Sequence, residues 1–297
     1  MTETNTTLTL KAKDFKGKVD PDWCPGCGDF GVLSGLQRAV AELGLQPHEI
    51  LAVSGIGCSS NLPGFFKSYG MHTLHGRSLP HASGAKLANH ELTVIATGGD
   101  GDGYGIGGNH FTHTSRRNLN ILYLVMDNQI YGLTTGQISP TSEVGMKTKS
   151  TPHGSVELPI NPIANAITFG ATWVARGYTG NIKQLVRLIK EGIEHKGFAL
   201  LDVFSPCVTF NKVNTYQFFK SRVQPLEDIE HDSSDWKQGM EKAMVWGDVI
   251  HTGVFFKTNT RLTLEEQEPV LDEGGPLAYR ELSLNSEQTE RIVSRMM

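Results

Sequence analysis

Leu92-Thr93-Val94-Ile95-Ala96-Thr97-Gly98-Gly99-Asp100-Gly101-Asp102-Gly103-Tyr104-Gly105-Ile106-Gly107-Gly108 passes from a short apolar run into seven glycines and two aspartates. An apolar segment as short as Leu92–Ala96 suits a buried strand, and glycines directly after it suit a turn at the strand's carboxyl end. The same grammar recurs on either side. Ile50–Val53 runs into Gly55-Ile56-Gly57, and Ile121–Met126 into Asp127-Asn128. Thr172–Ala175 and Ala199–Phe204 read as two further strands with a helix over Ile182–Ile193 between them. Gly31–Leu43 places Val32, Leu33, Leu36, Ala39, Val40 and Leu43 on one helical stripe. Strands that alternate with helices and end in such turns predict an α/β fold. Its sheet is mainly parallel, helices cover both faces, and ligands bind beyond the carboxyl ends of the strands.

The rest of the 297 residues organises around that pattern. Residues 1–22 are polar and rich in Thr and Lys, and read as an N-terminal arm. Residues 23–225 carry the α/β pattern. Residues 226–297 form an acidic C-terminal extension with 7 Lys and Arg against 15 Asp and Glu. In it Trp236–Ile250 reads as a helix and Glu265-Glu266-Gln267-Glu268-Pro269 as a solvated charge run. The first 225 residues are mildly basic, with 20 basic against 16 acidic residues, which suits small anionic ligands. No dense Lys/Arg run with interleaved aromatics points to nucleic acid. No apolar run approaches the ~20 residues of a membrane span, and Met1-Thr2-Glu3-Thr4 shows no basic leader. The expectation is a cytoplasmic chain.

Gly103-Tyr104-Gly105-Ile106-Gly107-Gly108 satisfies the dinucleotide pattern G-x-G-x-x-G, which by itself would suggest a nicotinamide site. Asp100 and Asp102 stand against it. A carboxylate about 4 Å from a bare pyrophosphate costs about 4 kcal/mol at an effective dielectric near 20. A divalent cation between the two removes the conflict. Mg²⁺ takes about six oxygen ligands, commonly one or two carboxylates together with phosphate oxygens. Asp100 offers a carboxylate, Asn128 an amide oxygen from the next strand end, and Ile130 a backbone carbonyl. Gly99-Asp100-Gly101 followed by 26 residues and then Asn128 is the spacing of a thiamine diphosphate fingerprint.

The four cysteines lie in Cys24-Pro25-Gly26-Cys27, Gly57-Cys58-Ser59 and Ser205-Pro206-Cys207. A chain kept in a reducing compartment does not use them as disulfides. Four thiols beside Gly or Pro turns fit a four-thiolate site, which zinc and a [4Fe–4S] cluster both accept. Cys58 follows the strand end at Val53, next to the crevice that Asp100 faces, a place suited to an electron acceptor.

Five motifs occur in order: Trp23-Cys24-Pro25-Gly26-Cys27-Gly28, Gly55-Ile56-Gly57-Cys58-Ser59, His72-Thr73-Leu74-His75-Gly76-Arg77, Gly99-Asp100-Gly101-Asp102, and Asp127-Asn128-Gln129-Ile130-Tyr131-Gly132-Leu133-Thr134. From about residue 20 to 220 the chain resembles the beta subunit of the 2-oxoacid:ferredoxin oxidoreductases. The resemblance implies the thiamine diphosphate-binding fold of the pyrophosphate type. It also implies that Asp100, Asn128 and the Ile130 carbonyl bind Mg²⁺. Ile56, Gly57, Cys58, Ser59, His75, Gly101, Asp102, Asn128, Gly132, Leu133 and Thr134 would line the cofactor. Cys24, Cys27, Cys58 and Cys207 would carry a [4Fe–4S] cluster rather than zinc.

The implied activity is oxidative decarboxylation of a 2-oxoacid, with electrons passed to ferredoxin and the acyl group to coenzyme A. His75 is the candidate catalytic donor. A thiamine enzyme also needs a carboxylate opposite the aminopyrimidine ring, carried on a second α/β domain. This chain has length for one such domain, so that glutamate and the coenzyme A site are expected from an alpha subunit. Asn61 and Thr135 stand where some members carry lysine. The stretch from Tyr131 to Gly154 most resembles the branch that uses 2-oxoglutarate, with Thr134, Thr135 and His75 as candidate donors to a second carboxylate. His110, His113 and Arg116-Arg117 read as solvated helix-face residues.

Overall fold

The computed structural model describes residues 9–272, 274–281 and 283–297. The first eight residues of the expected arm lie outside them. Eight strands form one sheet: β1 (Ile50–Ser54), β2 (Tyr69–His72), β3 (Thr93–Gly99), β4 (Ile121–Asp127), β5 (Trp173–Tyr178), β6 (Phe198–Phe204), β7 (Val223–Pro225) and β8 (Ile250–Lys257). Their order is β2-β1-β3-β4-β6-β5-β8-β7. All neighbours are parallel except β5 and β8, which run antiparallel.

The central strands are apolar on both faces because both are covered. Along β4, Leu122, Leu124 and Met126 enter one core with Leu36, Leu185 and Ile189, from the helices Asp29–Glu42 and Ile182–Glu194. Ile121, Tyr123 and Val125 enter a second core with Leu79, Phe111 and Ile163, from the helices Ser78–Ala88, Gly108–Arg117 and Pro162–Thr168. A strand buried on both faces shows a continuous apolar run rather than alternation. That is why the run Ile121–Met126 is legible as a strand. From β1 the sheet grows outward to β2 on one side and to β3 on the other, so a crevice opens at the carboxyl ends of β1 and β3.

Three strands were not read from sequence. The edge strand β2 is exposed at all four residues and carries no core-facing pattern. The expected helix over Trp236–Ile250 is shorter, Trp236–Ala243, and the chain turns at Gly247 (φ +133°) into β8. The acidic stretch is not wholly solvated: Glu265 is buried and its Oε1 accepts the Asn120 N–H at 3.0 Å. Within residues 9–22, Phe15 is fully buried and stacks on Phe66, with ring centroids 5.9 Å apart.

Candidate active site

Loops from the carboxyl ends of four strands enclose a cleft of about 100 Å³. Ile56, Gly57, Cys58 and Ser59 come from the β1 loop and His75 from the β2 loop. Asp100, Gly101 and Asp102 follow β3, while Asn128, Ile130, Gly132, Leu133 and Thr134 follow β4. All thirteen residues expected around a diphosphate and its metal therefore share one wall. Gly99 and Tyr131 also line it; neither was singled out from sequence.

The glycine run forms a π-helical turn, Gly101–Ile106, before the helix Gly108–Arg117. Its glycines admit two tyrosines. A Cβ on Gly101 would lie 2.1 Å from the Tyr131 ring, and one on Gly103 would lie 1.9 Å from the Tyr123 hydroxyl. The turn holds Asp102 inward, where one carboxylate oxygen gathers three loops. Asp102 Oδ1 accepts the Ile56 N–H at 2.9 Å and the Gly76 N–H at 2.7 Å, and lies 2.7 Å from His75 Nδ1. The two histidines of His72–His75 part company: His72 Nδ1 packs against Ser54 Oγ and the Ser60 carbonyl, while His75 faces the cleft. His113 takes the Arg116 Nε–H on an exposed helix face.

Asp100 is buried, and burial pushes its carboxyl up to about 6 against hydrogen bonds from Ser139, Thr141 and the Gly101 amide. A carboxylate so placed gains from a cation. Asn128 is oriented by its own turn, with Oδ1 accepting the Ile130 N–H at 3.0 Å. Gln129, between them, takes the left-handed backbone (φ +56°) that turns the chain out of β4. Oxygen donors from two strand ends thus face one cleft, and this donor set suits Mg²⁺. Only Asp100 in it is acidic. Among the described residues no three His, Cys, Asp or Glu side chains stand close enough to hold a single metal ion.

Three links assemble the cysteines. The Cys27 N–H closes a turn onto the Cys24 carbonyl at 2.9 Å. The Gly28 N–H donates to the Pro206 carbonyl at 3.1 Å, drawing in Cys207. Trp23 Nε1 donates to the Cys58 carbonyl at 2.6 Å. All four thiols are free. Cys58 and Cys207 Sγ lie 3.8 and 3.7 Å from the point a Gly132 Cβ would occupy, so the thiols adjoin the cleft wall. Burial, the Asp29 carboxylate and the Cys207 and Cys24 thiols push Cys58 up to about 11, and Cys27 rises further for like reasons. Thiols crowded in this way ionise only against compensating positive charge.

The family model described as thiamine pyrophosphate enzyme, C-terminal TPP binding domain, matches residues 55–203. A second family model, for the C terminal of the pyruvate ferredoxin oxidoreductase beta subunit, matches residues 207–273. The 2-oxoacid:ferredoxin oxidoreductase subunit beta of Saccharolobus solfataricus is 45% identical over 258 residues, covering 83% of this chain and 85% of that protein. The chain belongs to the β subunits of the 2-oxoacid:ferredoxin oxidoreductases. The β subunit is also 45% identical over 201 residues to the 2-oxoglutarate oxidoreductase subunit KorB of Mycobacterium tuberculosis, covering 68% of this chain and 54% of that protein. Its fold matches the 2-oxoglutarate:ferredoxin oxidoreductase of Magnetococcus marinus, solved with 2-oxoglutarate, coenzyme A and succinyl-CoA bound. The TM-score is 0.90 at 42% identity, covering 99% of this chain and 98% of that one. A β subunit implies an α partner, and no helix among the described residues is long and apolar enough to cross a membrane.

Proposed function

We propose that this β subunit serves the coenzyme A-dependent oxidative decarboxylation of 2-oxoglutarate to succinyl-CoA and CO₂, with electrons passed through a [4Fe–4S] cluster to ferredoxin. The observation that carries the reading is the whole-length likeness to the Magnetococcus marinus enzyme, which holds 2-oxoglutarate and both coenzyme A species. Thiamine diphosphate, when bound, supplies the electron sink for loss of CO₂.

The chain's own residues bind and orient. Asp100, Asn128 and the Ile130 carbonyl hold Mg²⁺. The backbone of Ile56 to Ser59, with Gly101, Asp102, Gly132, Leu133 and Thr134, surrounds the diphosphate. A cleft of about 100 Å³ suits that end of the cofactor and leaves its rings to be covered by the α subunit, which brings the activating glutamate and the coenzyme A site. His75, with Nδ1–H donating to Asp102, presents Nε2 to the substrate and donates from it to the substrate carboxylate when the ring carries its second proton. Cys24, Cys27, Cys58 and Cys207 hold the cluster, and Cys58 lines the cleft as well, which shortens the electron path.

The test is kcat/KM of the purified complex on 2-oxoglutarate and on pyruvate. One charge-assisted hydrogen bond to the distal carboxylate corresponds to at least about a tenfold preference for 2-oxoglutarate. The C-terminal family match bears the name of a pyruvate enzyme. Equal or higher activity on pyruvate would replace the substrate while leaving the cofactor reading intact.

A further inference from the structure

The turn after the cleft wall, Ser139 to Ser142, has no part in the motifs that carry the chemistry, yet its polar atoms are almost all engaged. The Ser139 N–H donates to Ser142 Oγ at 2.8 Å, and the Ser142 hydroxyl donates to the Gln129 carbonyl at 2.6 Å. Gln129 Nε2 donates to the Thr141 carbonyl at 3.1 Å, and the Ile160 N–H to the Pro140 carbonyl at 2.9 Å. The result is a rigid strut from the β4 exit to the sheet's carboxyl edge. At its tip the Thr141 hydroxyl is buried between two carboxylates, 2.6 Å from Asp100 Oδ2 and 2.9 Å from Asp127 Oδ1.

We propose that Thr141 is the positioning residue of the metal-binding carboxylate: its hydroxyl pins Asp100 Oδ2 so that the second oxygen of Asp100 is left to meet the cation. The proposal rests on the reading of Asp100 as a Mg²⁺ ligand. A buried aspartate at a strand end has rotamers that turn its carboxylate along the sheet or out toward the cleft. A hydroxyl on a separately braced turn selects one of them before metal arrives. The hydroxyl has one hydrogen and two acceptors, so it donates to one carboxylate at a time, and Asp100 Oδ2 is the nearer of the two. Groups that orient a metal ligand in this way commonly change affinity 10- to 100-fold when removed.

The experiment is titration of the metal-stripped, thiamine diphosphate-loaded complex with Mn²⁺, followed by electron paramagnetic resonance of the free ion. Thr141→Val keeps the shape and removes the hydroxyl, Thr141→Ser keeps the hydroxyl, and Asp100→Ala removes the ligand. The expected result is Mn²⁺ affinity lowered about 10- to 100-fold in Thr141→Val and within about threefold of wild type in Thr141→Ser. Wild-type affinity in Thr141→Val overturns the proposal, and so does equal loss in the Val and Ser variants, which would mark a packing role. If Thr141→Val does not assemble, Thr141→Ala is read by the same criteria. Wild-type affinity in Asp100→Ala would sink the metal assignment itself, an outcome separate from failure at Thr141.

Discussion

His75 Nδ1 lies 2.7 Å from Asp102 Oδ1, and the same oxygen takes the backbone N–H groups of Ile56 and Gly76. One buried carboxylate therefore fixes an imidazole and ties together the loops that leave β1, β2 and β3. Neutral His75 is held as the Nδ1–H tautomer, which leaves Nε2 as the ring atom free to accept or pass a proton at the cleft.

Two substitutions separate these roles. His75→Gln should lower turnover of the complex by about 10²- to 10³-fold, within the range for a positioned proton donor, and leave thiamine diphosphate bound. Asp102→Asn should lower turnover and also weaken diphosphate binding, because three donors lose their charged acceptor. Steady-state rates with calorimetric titration of the cofactor decide it. Unchanged turnover in His75→Gln removes His75 from the chemistry.

Each of Cys24→Ser, Cys27→Ser, Cys58→Ser and Cys207→Ser should lose iron and the broad brown absorbance of the anaerobically purified complex. The wild-type protein should bind iron rather than zinc. Elemental analysis checks both, and a Cys207→Ser variant with full iron content would exclude that thiol from the ligand set.

His195 makes a stability prediction. The Thr172 hydroxyl donates to Asn118 Oδ1, so the bond of 2.8 Å between Thr172 Oγ1 and His195 Nε2 must be donated by the ring. Nδ1 is left bare and buried. Burial, aided by Lys257, lowers the ring to about 4 from an ordinary value of 6.5. The unfolded chain therefore takes up a proton first, and stability present above pH 6.5 is lost as pH falls toward 4, by about 3 kcal/mol at most. Asp29 and Asp100, each pushed up to about 6 mainly by burial, act in the opposite sense as pH rises through the same region. The measurement is hence a difference: urea unfolding of wild type and His195→Gln between pH 4 and 7. Parallel curves would contradict the assignment.

Asp202 is the partner that makes Arg176 tolerable in the core. The two are almost wholly buried, with Nε 3.1 Å from Oδ2, and the Tyr104 hydroxyl donates to the other carboxylate oxygen at 2.9 Å. Asp202→Ala strands a buried guanidinium and should cost about 3–5 kcal/mol. Tyr104→Phe removes one hydrogen bond and should cost about 1 kcal/mol or a little more. Denaturant midpoints at constant slope check the order; a larger loss in Tyr104→Phe would refute it.

The centre of the sheet and the contents of the cleft wall are legible in residue order alone. Strands β1, β3, β4, β5 and β6 are buried on both faces, so each appears as an apolar run whose end is punctuated by glycine or a polar turn. Residues that follow parallel neighbours must meet at one edge, which is why Ile56, Asp100 and Asn128 could be placed together from local pattern. The remainder was settled by packing between distant segments. The strand β2 is exposed, and β8 owes its position to antiparallel pairing with β5 rather than to any pattern in its neighbourhood. Residues 12–17 dock because Phe15 finds Phe66, and buried Glu265 takes the Asn120 N–H from a distant loop. Asp102 turned inward to serve three loops, and Thr141 arrived between Asp100 and Asp127 from a separate turn. Apolar periodicity is a property of a few consecutive residues and is written in them. The partner of a buried carboxylate is a property of the space where distant loops converge, and only the folded chain fixes that space.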